Sequence, residues 1–553
     1  MEKKQPELQL YFKLPNPGLR AYFQRTVEGN QDDYRPPFWK GKSREEVLSM
    51  WQKVFDTLGV KDTYPSLYEY EMEMKDKVGP MSIQLPLKDR LESIESYFTG
   101  VEGNPDPIPQ EAIDATIKFF GDAKGIRLRS KSNTANAMRL STNSGNPWFT
   151  KRRRVIEEAI RSTIIMDTDG VVWGIIDGKR YQMAAILGWR GQEGGIHEDD
   201  VKQRVIWMMS VLLNLYELQF YQPAIEAMQR TGKIPAYVSM DAVDQSVTKL
   251  FDTKGADDYV ICTDFSKFDQ HFNSVMQDAA KSVLKGLATM DSEMEWWFDN
   301  IYPAKFRIPI ICSESVAYYG SHGMGSGSGG TNFDECMAHK ALQFDACQKK
   351  GVELNPYSMA YGDDGILTAP GLSVDDVIQA YQSHGMEMNP EKQYVSKHDC
   401  VVLRRWHSMN YRDKEGCMVG VYSTFRALGR LLAQERFYNP EEWGPEQVTL
   451  RAWSILENCN HSPYFEKFVD FVLTGDKYRL GLDLPGFMDN ISSIVKKSMA
   501  QLPDFLGYTK TQQRRISQKS NLGEDGLLGL VGSNDKDIGI KSWRIYKYLE
   551  TLR

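Results

Sequence analysis

Met359 to Leu367 reads MAYGDDGIL, which places two adjacent carboxylates, Asp363 and Asp364, between two short apolar stretches. The flanks YSMAY and GILTA are composed as strands, so Gly362 to Gly365 is expected to form a hairpin tip. An Asp-Gly pair makes a turn by itself, and a second acid beside it adds repulsion unless a divalent cation reverses the sign of the interaction. Upstream, TDFSKFDQHF puts Asp264 at the close of the β-rich run YVICTDF, with Asp269 five residues further on, beyond a turn. A strand ending at Asp264 beside the hairpin would let Asp264, Asp363 and Asp364 share cations. Paired cations about 3.5–4 Å apart assist phosphoryl transfer to a hydroxyl, one activating the attacking oxygen and the other neutralising the leaving group.

Between these acids lies GSHGMGSGSGGTNFDECMAHKALQFDA, in which Gly325, Gly327 and Gly330 satisfy G-x-G-x-x-G. A dinucleotide fold would need Asp345 on a second strand, yet Asp345 falls inside the helical run Phe333, Met337, Ala341, Phe344. A phosphate-binding P-loop would need lysine where Thr331 stands. What remains is a glycine loop running into a helix, with Ser326 and Thr331 as its polar groups. In DDVKQRVIWMM, Lys202 and Arg204 are two residues apart and project to one face of an extended backbone. Two cations on one face repel unless an anion sits between them; arginine offers phosphate a fork and lysine a point charge. A solvated pair at a helix start is the plainer alternative for these two residues alone.

These groups need a large scaffold. At 553 residues the chain exceeds one ordinary core, so two to four subdomains are expected, and 41% hydrophobic with 25% charged residues is a globular balance. The net charge of −7 argues against a protein that coats nucleic acid, but not against a locally basic channel. The basic stretches are RLRSK, KRRR and KTQQRR. Seven cysteines, scattered with no CxxC pair, imply reduced thiols in a cytosol-like compartment and no zinc ribbon. The start MEKKQPELQLYFK lacks the apolar core of a signal peptide, and VIWMMSVLLNLY is too short to span a bilayer. The Pro/Gly-rich stretch Gly100 to Gln110 is expected to mark a subdomain seam, and Val201 to Met228 to become helical after its first residues.

In this order the pieces resemble the viral RNA-dependent RNA polymerases: DFSKFD motif A, SGSGGT motif B, YGDD motif C, GMEMNPEKQ motif D, VLRR motif E, VKQR motif F and STNSGNPW motif G. Seven motifs in the family's order, from Ser141 to Arg405, make coincidence remote. YFKLPNPGLRAYFQR, DFSKFDQHFN and GSGSGGTNFDE are most similar to the polymerases of picobirnaviruses, ahead of those of partitiviruses and cystoviruses.

The resemblance implies an α+β right hand: an N-terminal extension linking fingers and thumb (1–60), fingers (61–250), palm (251–279), a fingers insertion (280–310), palm again (311–408), thumb (409–520) and a C-terminal tail (521–553) that would plug the cavity. The palm would be an antiparallel sheet backed by helices. Asp264, Asp363 and Asp364 would hold two Mg2+ ions, with Mn2+ as a substitute, and Lys392 would donate a proton to departing pyrophosphate. Lys202 and Arg204 would grip the ribonucleoside triphosphate, and Asp269 would read its 2′-hydroxyl, with Ser326, Thr331 and Glu335 in the same nucleotide site. Ser141, Gly145, Gly327, Arg404 and Arg405 would contact RNA. Many family members carry asparagine where Glu335 stands, so two or three acids, Asp269 and Glu335 with Asp334 beside them, would repel around one hydroxyl unless one is protonated or a cation intervenes. The implied activity is primer-independent replication and transcription of a double-stranded RNA genome, by a monomer bound to single- and double-stranded RNA and to a viral capsid protein, in the virion interior and host cytoplasm. The rivals are a reverse transcriptase, which would not carry the SGSGGT loop or VKQR, and a non-catalytic RNA-packaging protein, which would not need all three acids.

Overall fold

The computed structural model describes residues 1–501 and 539–553. At its centre is a four-stranded antiparallel sheet in the order Met359–Tyr361, Asp364–Leu367, Val260–Thr263, Tyr394–Ser396. Gly365 lies opposite Thr263, so Asp264 and Asp364 are the next residues outward at the same edge. VICT is buried on both faces: Ile261 enters the larger core, while Val260 and Cys262 pack with Val243, Val247, Leu250 and Phe251 of the Met240–Thr253 helix. An unbroken apolar run is what a strand covered on both sides requires.

The Thr331–Lys350 helix passes behind this sheet almost wholly buried, carrying His339, Lys340 and Gln343 inside. These polar groups have a task, because Met359–Tyr361 is an edge strand with unpaired carbonyls. Lys340 Nζ donates to Ser358 O at 2.6 Å, Gln343 Nε2 to Met359 O at 2.8 Å, and His339 Nδ1 bonds Gly362 O at 2.8 Å. Burial lowers His339 to about 4, so the neutral ring donates. Gly365 accommodates that ring, since a Cβ there would meet it at 2.6 Å.

The Pro/Gly-rich stretch 100–110 is not a seam. Ile108 is buried, and the helices on either side of it, Leu91–Thr99 and Gln110–Phe119, share one core. The real division is a second core, in which Val47, Trp51, Phe55, Leu67 and Tyr70 pack with Phe425, Trp453 and Phe468. Pro65–Lys75, expected among the fingers, therefore belongs with the chain's last third, because its apolar face has its partners there. Ile540, Ile545 and Leu549 close the same core. The leucines of LLGLVG and the acids Glu524, Asp525, Asp535 and Asp537, on which the plug expectation rests, lie outside the described residues. All seven cysteines are free, and among the described residues no helix is long and apolar enough to cross a membrane.

Glu71 joins the two halves of the second core. Its buried carboxylate accepts from the Thr424 N–H at 2.8 Å, the Thr424 hydroxyl, and the Tyr464 hydroxyl at 3.1 Å. Desolvation outweighs these bonds and raises its pKa from 4.5 to about 7. The folded chain then retains a proton that the unfolded chain releases, so this group's contribution to stability falls as pH rises from 4.5 to about 7. Thermal unfolding of the parent and Glu71→Gln across that window should show the parent losing ground as pH rises. A constant difference would contradict the assignment.

Candidate active site at the hairpin tip

The hairpin loop is two residues, Gly362 and Asp363, with Tyr361 paired to Asp364 and Gly362 at φ 61°. A positive φ at the first loop position is what such a tight turn demands and why glycine stands there. The tip is shorter than the expected Gly362–Gly365: Asp364 and Gly365 already belong to the second strand. Asp363 is exposed, and Asp364 faces the protein. Asp364 Oδ2 accepts from the Leu403 N–H at 2.6 Å; desolvation and the charge of Asp363 raise this carboxyl to about 7.

That bond anchors a second hairpin, Asp399–Val402 with Arg405–Ser408, whose turn residues Leu403 and Arg404 sit at φ 51° and 59°. Tyr70 donates to Arg404 O at 2.6 Å from the other side. Arg405, expected on RNA, is instead 8% exposed, donating to Asn458 O at 2.9 Å and lying over Tyr422. Arg405 begins a strand that is buried throughout, whereas Arg404 stays in the turn, so only Arg404 of the pair keeps a candidate RNA contact.

Asp264 is exposed just beyond the Val260–Thr263 strand. Desolvation raises its carboxyl, Lys392 pulls it down and Asp363 pushes it up again, so these three groups share one field. Asp269 and Glu335 are hydrogen-bonded carboxyl to carboxyl, with Glu335 only 5% exposed. Burial and the Asp269 charge push Glu335 well above the ordinary range, so Glu335 holds the proton and Asp269 accepts it. Asp334 takes no part. It is fully buried against Lys305 at 2.6 Å and accepts from the Tyr221 hydroxyl at 2.8 Å. The expected crowd of three acids is therefore a pair that shares a proton.

Lys202 and Arg204 lie on an extended strand, Lys202–Met208, rather than at a helix start, and Arg204 exerts its charge on Asp269. In the paired strand Ala185–Gln192, Arg190 stands directly opposite Arg204. Residues directly opposite share a face, so this face carries Lys202, Arg204 and Arg190. Like charges so placed repel, and Arg190 also lies 3.5 Å from the Glu435 carboxylate. Arg190 went unread in the sequence; the signal was GWRGQ pairing antiparallel with KQRVI.

The glycine loop is explained by packing. A Cβ on Gly327 would lie 1.7 Å from Trp207 O, and one on Gly330 would lie 2.1 Å from the Tyr221 ring. Glu217 accepts from the Ser328 hydroxyl and, at 3.3 Å, from the Gly329 N–H, while Asn214 Nδ2 donates to Gly327 O at 3.2 Å. Ser326 Oγ bonds Val205 O at 3.4 Å, and Thr331 Oγ1 is within 3.2 Å of Gly325 O and Ser328 O. Gly145, at φ 62°, presses on Met209 O from the other side, and Ser141 Oγ accepts from Arg139 Nε at 3.1 Å.

One further group of potential metal ligands stands apart: Asp241, Asp244 and His461 each offer an atom within 4.8 Å of the others. It sits on the Met240–Thr253 helix and the loop after Glu457, not on the hairpin. Among the described residues Asp264, Asp363 and Asp364 do not close to that spacing.

The buried Lys305–Asp334 pair carries a measurable consequence. Lys305→Met leaves a buried charge without its partner and should cost about 3–5 kcal/mol, whereas Lys305→Met with Asp334→Leu should recover most of that loss. Denaturant midpoints make the check, and a single variant of parental stability would contradict the pairing.

Residues 196–457 match the family model described as viral RNA-dependent RNA polymerase. The chain is 50% identical over 543 residues to the "Potential RNA-dependent RNA polymerase" of Human picobirnavirus (strain Human/Thailand/Hy005102/-), covering 98% of each. It superimposes on the crystal structure of the RNA-dependent RNA polymerase of a human picobirnavirus with a TM-score of 0.89, at 46% identity and 99% coverage of both chains. The insertion loop deletion mutant of such a polymerase gives 0.87 at 45% identity, again over 99% of both. With half its residues identical along nearly the whole length, this chain belongs to the viral RNA-dependent RNA polymerases, with those of the picobirnaviruses.

Proposed function

We propose that this RNA-directed RNA polymerase copies and transcribes a double-stranded RNA virus genome by nucleotidyl transfer from ribonucleoside triphosphates, and that it begins without a primer. The observation that carries the reading is the strand register that brings Asp264 to the edge occupied by Asp363 and Asp364, under the field of Lys392. In this reading the four-stranded sheet is the palm, the basic strands belong to the fingers, and the second core is the thumb, against which residues 44–75 pack.

Asp264 and Asp363, with the remaining oxygen of Asp364, would hold two magnesium ions, or manganese in their place. The fit rests on an all-carboxylate donor set, suited to hard cations, in which the charge of Asp363 raises the carboxyls of Asp264 and Asp364. Such ions supply activation of the attacking 3′-hydroxyl and neutralisation of the leaving pyrophosphate. Lys202, Arg204 and Arg190 bind the triphosphate. Asp269, hydrogen-bonded to Glu335, accepts from the ribose 2′-hydroxyl, a group deoxyribonucleotides lack. Lys392 donates a proton to pyrophosphate. Arg404 lies by the 3′ end of the growing strand, and the loops of Ser141, Gly145 and Gly327 face the template. Viral RNA and a capsid protein are the partners.

The test is incubation with single-stranded RNA, four ribonucleotides and magnesium, without primer. Full-length product is expected, and Asp264→Ala or Asp363→Ala should lower incorporation by at least about 100-fold with folding intact. A folded but inactive parent, or an active Asp264→Ala variant, would overturn the assignment. Product only with a primer present would overturn the initiation reading.

Arg204→Ala should raise the KM for nucleotides about tenfold or more, since it removes a charged phosphate contact, while RNA affinity stays near parental. Equal losses in both would assign the basic strand to the template.

A further inference from the structure

We infer that Gln393 is a positioning residue that fixes the backbone of Asp264 and the turn carrying Lys392 as one unit. The inference rests on the site reading above and adds to it a residue that acts through the backbone of Asp264. The Tyr394–Ser396 strand pairs antiparallel with Val260–Thr263, its first rung joining Tyr394 to Cys262. Beyond that rung the backbone ladder stops, and the Gln393 side chain takes over. Its Oε1 accepts from the Asp264 N–H at 2.8 Å, and its Nε2 donates to Asp264 O at 2.8 Å. One carboxamide thus satisfies both backbone groups of the residue whose carboxylate faces Asp363.

The same Nε2 donates a second hydrogen bond, to Asn389 O at 2.9 Å. Asn389 caps the Pro390–Lys392 turn through its own side chain, which accepts from the Glu391 N–H at 3.0 Å. The strand next to it is held independently, because Phe265 bridges Met388 and the Ser266 N–H donates to Glu387 O at 2.9 Å. Gln393 is therefore one of several links between the two segments, and the one that reaches Asp264 itself. It adds a planar brace at the one residue where the backbone pairing has lapsed. Only glutamine fits the pattern: an acceptor and two donors in one plane at this reach exclude glutamate, which lacks the donors, and lysine or arginine, which lack the acceptor.

A brace of this kind acts on geometry rather than on binding. Misplacing a reacting group by about 1 Å can cost about 100-fold in rate, whereas the basic strand and the RNA path lie elsewhere. The experiment is single-turnover addition of one nucleotide to a preformed primer–template, for the parent, Gln393→Met, Lys392→Leu and the double variant, with Asp264→Asn as control. Gln393→Met should lower the maximal rate about 10- to 100-fold, with nucleotide and RNA affinities within about threefold of parental. The double variant should lose less than the product of the two single losses, because both act on one unit.

A parental rate in folded Gln393→Met would overturn the inference, as would an equal loss of nucleotide affinity or a fully multiplicative double variant. Should Gln393→Met fail to fold, Gln393→Glu makes the same test, since it keeps the acceptor and loses the donors. The control separates the levels: an active Asp264→Asn removes the site reading itself, whereas an inactive control beside an unimpaired Gln393→Met removes only the brace.

Discussion

Carboxylates at one edge of a small sheet repel, and the active half of this molecule is organised around that repulsion. Asp363 acts on Asp264, Asp269, Glu335 and Asp364, Asp264 on Asp364, and Asp269 on Glu335. Two like charges about 4 Å apart in a protein-like dielectric cost about 4 kcal/mol, more than the net ~1 kcal/mol of an ordinary hydrogen bond. Hydrogen bonding alone cannot hold such a cluster. Each acid has a separate relief: Leu403 donates to Asp364, Glu335 keeps a proton for Asp269, and Lys392 pulls on Asp264. Asp334 is withdrawn to Lys305. Asp363 alone stays exposed at the tip without such a partner among the described contacts, where divalent cations are the remaining compensation.

The scaffold supplies stiffness where that relief is needed. The Thr331–Lys350 helix spends its buried polar side chains on the carbonyls of an edge strand, which fixes the hairpin from behind. Tyr70 of the other core bonds Arg404 O while Asp364 of the sheet accepts from the Leu403 N–H, so one turn ties the second core to the hairpin.

Much of the site was legible in the sequence because its signals are local. YGDD between two strand-like flanks, a β-run ending on Asp264, and the i, i+2 pair Lys202 and Arg204 each depend on a few neighbouring residues. What was not legible depends on residues far apart in the chain. Arg190 comes to stand opposite Arg204 only through strand register, and Arg405 is buried because Tyr422 and Asn458 hold it. Asp334 and Glu335 are neighbours with opposite fates, decided by Lys305 on one side and Asp269 on the other. Gly100 to Gln110 has a seam's composition but runs inside a core, since composition does not say which apolar faces meet.

If the paired strands gather Asp264 and Asp363 to hold the catalytic cations, a metal will be found between them. Anomalous diffraction from crystals soaked in manganese with a non-reactive ribonucleoside triphosphate tests it most directly. Strong peaks between Asp264 and Asp363, beside the triphosphate, are the expected result. Manganese confined to Asp241, Asp244 and His461, with none between Asp264 and Asp363, would contradict it.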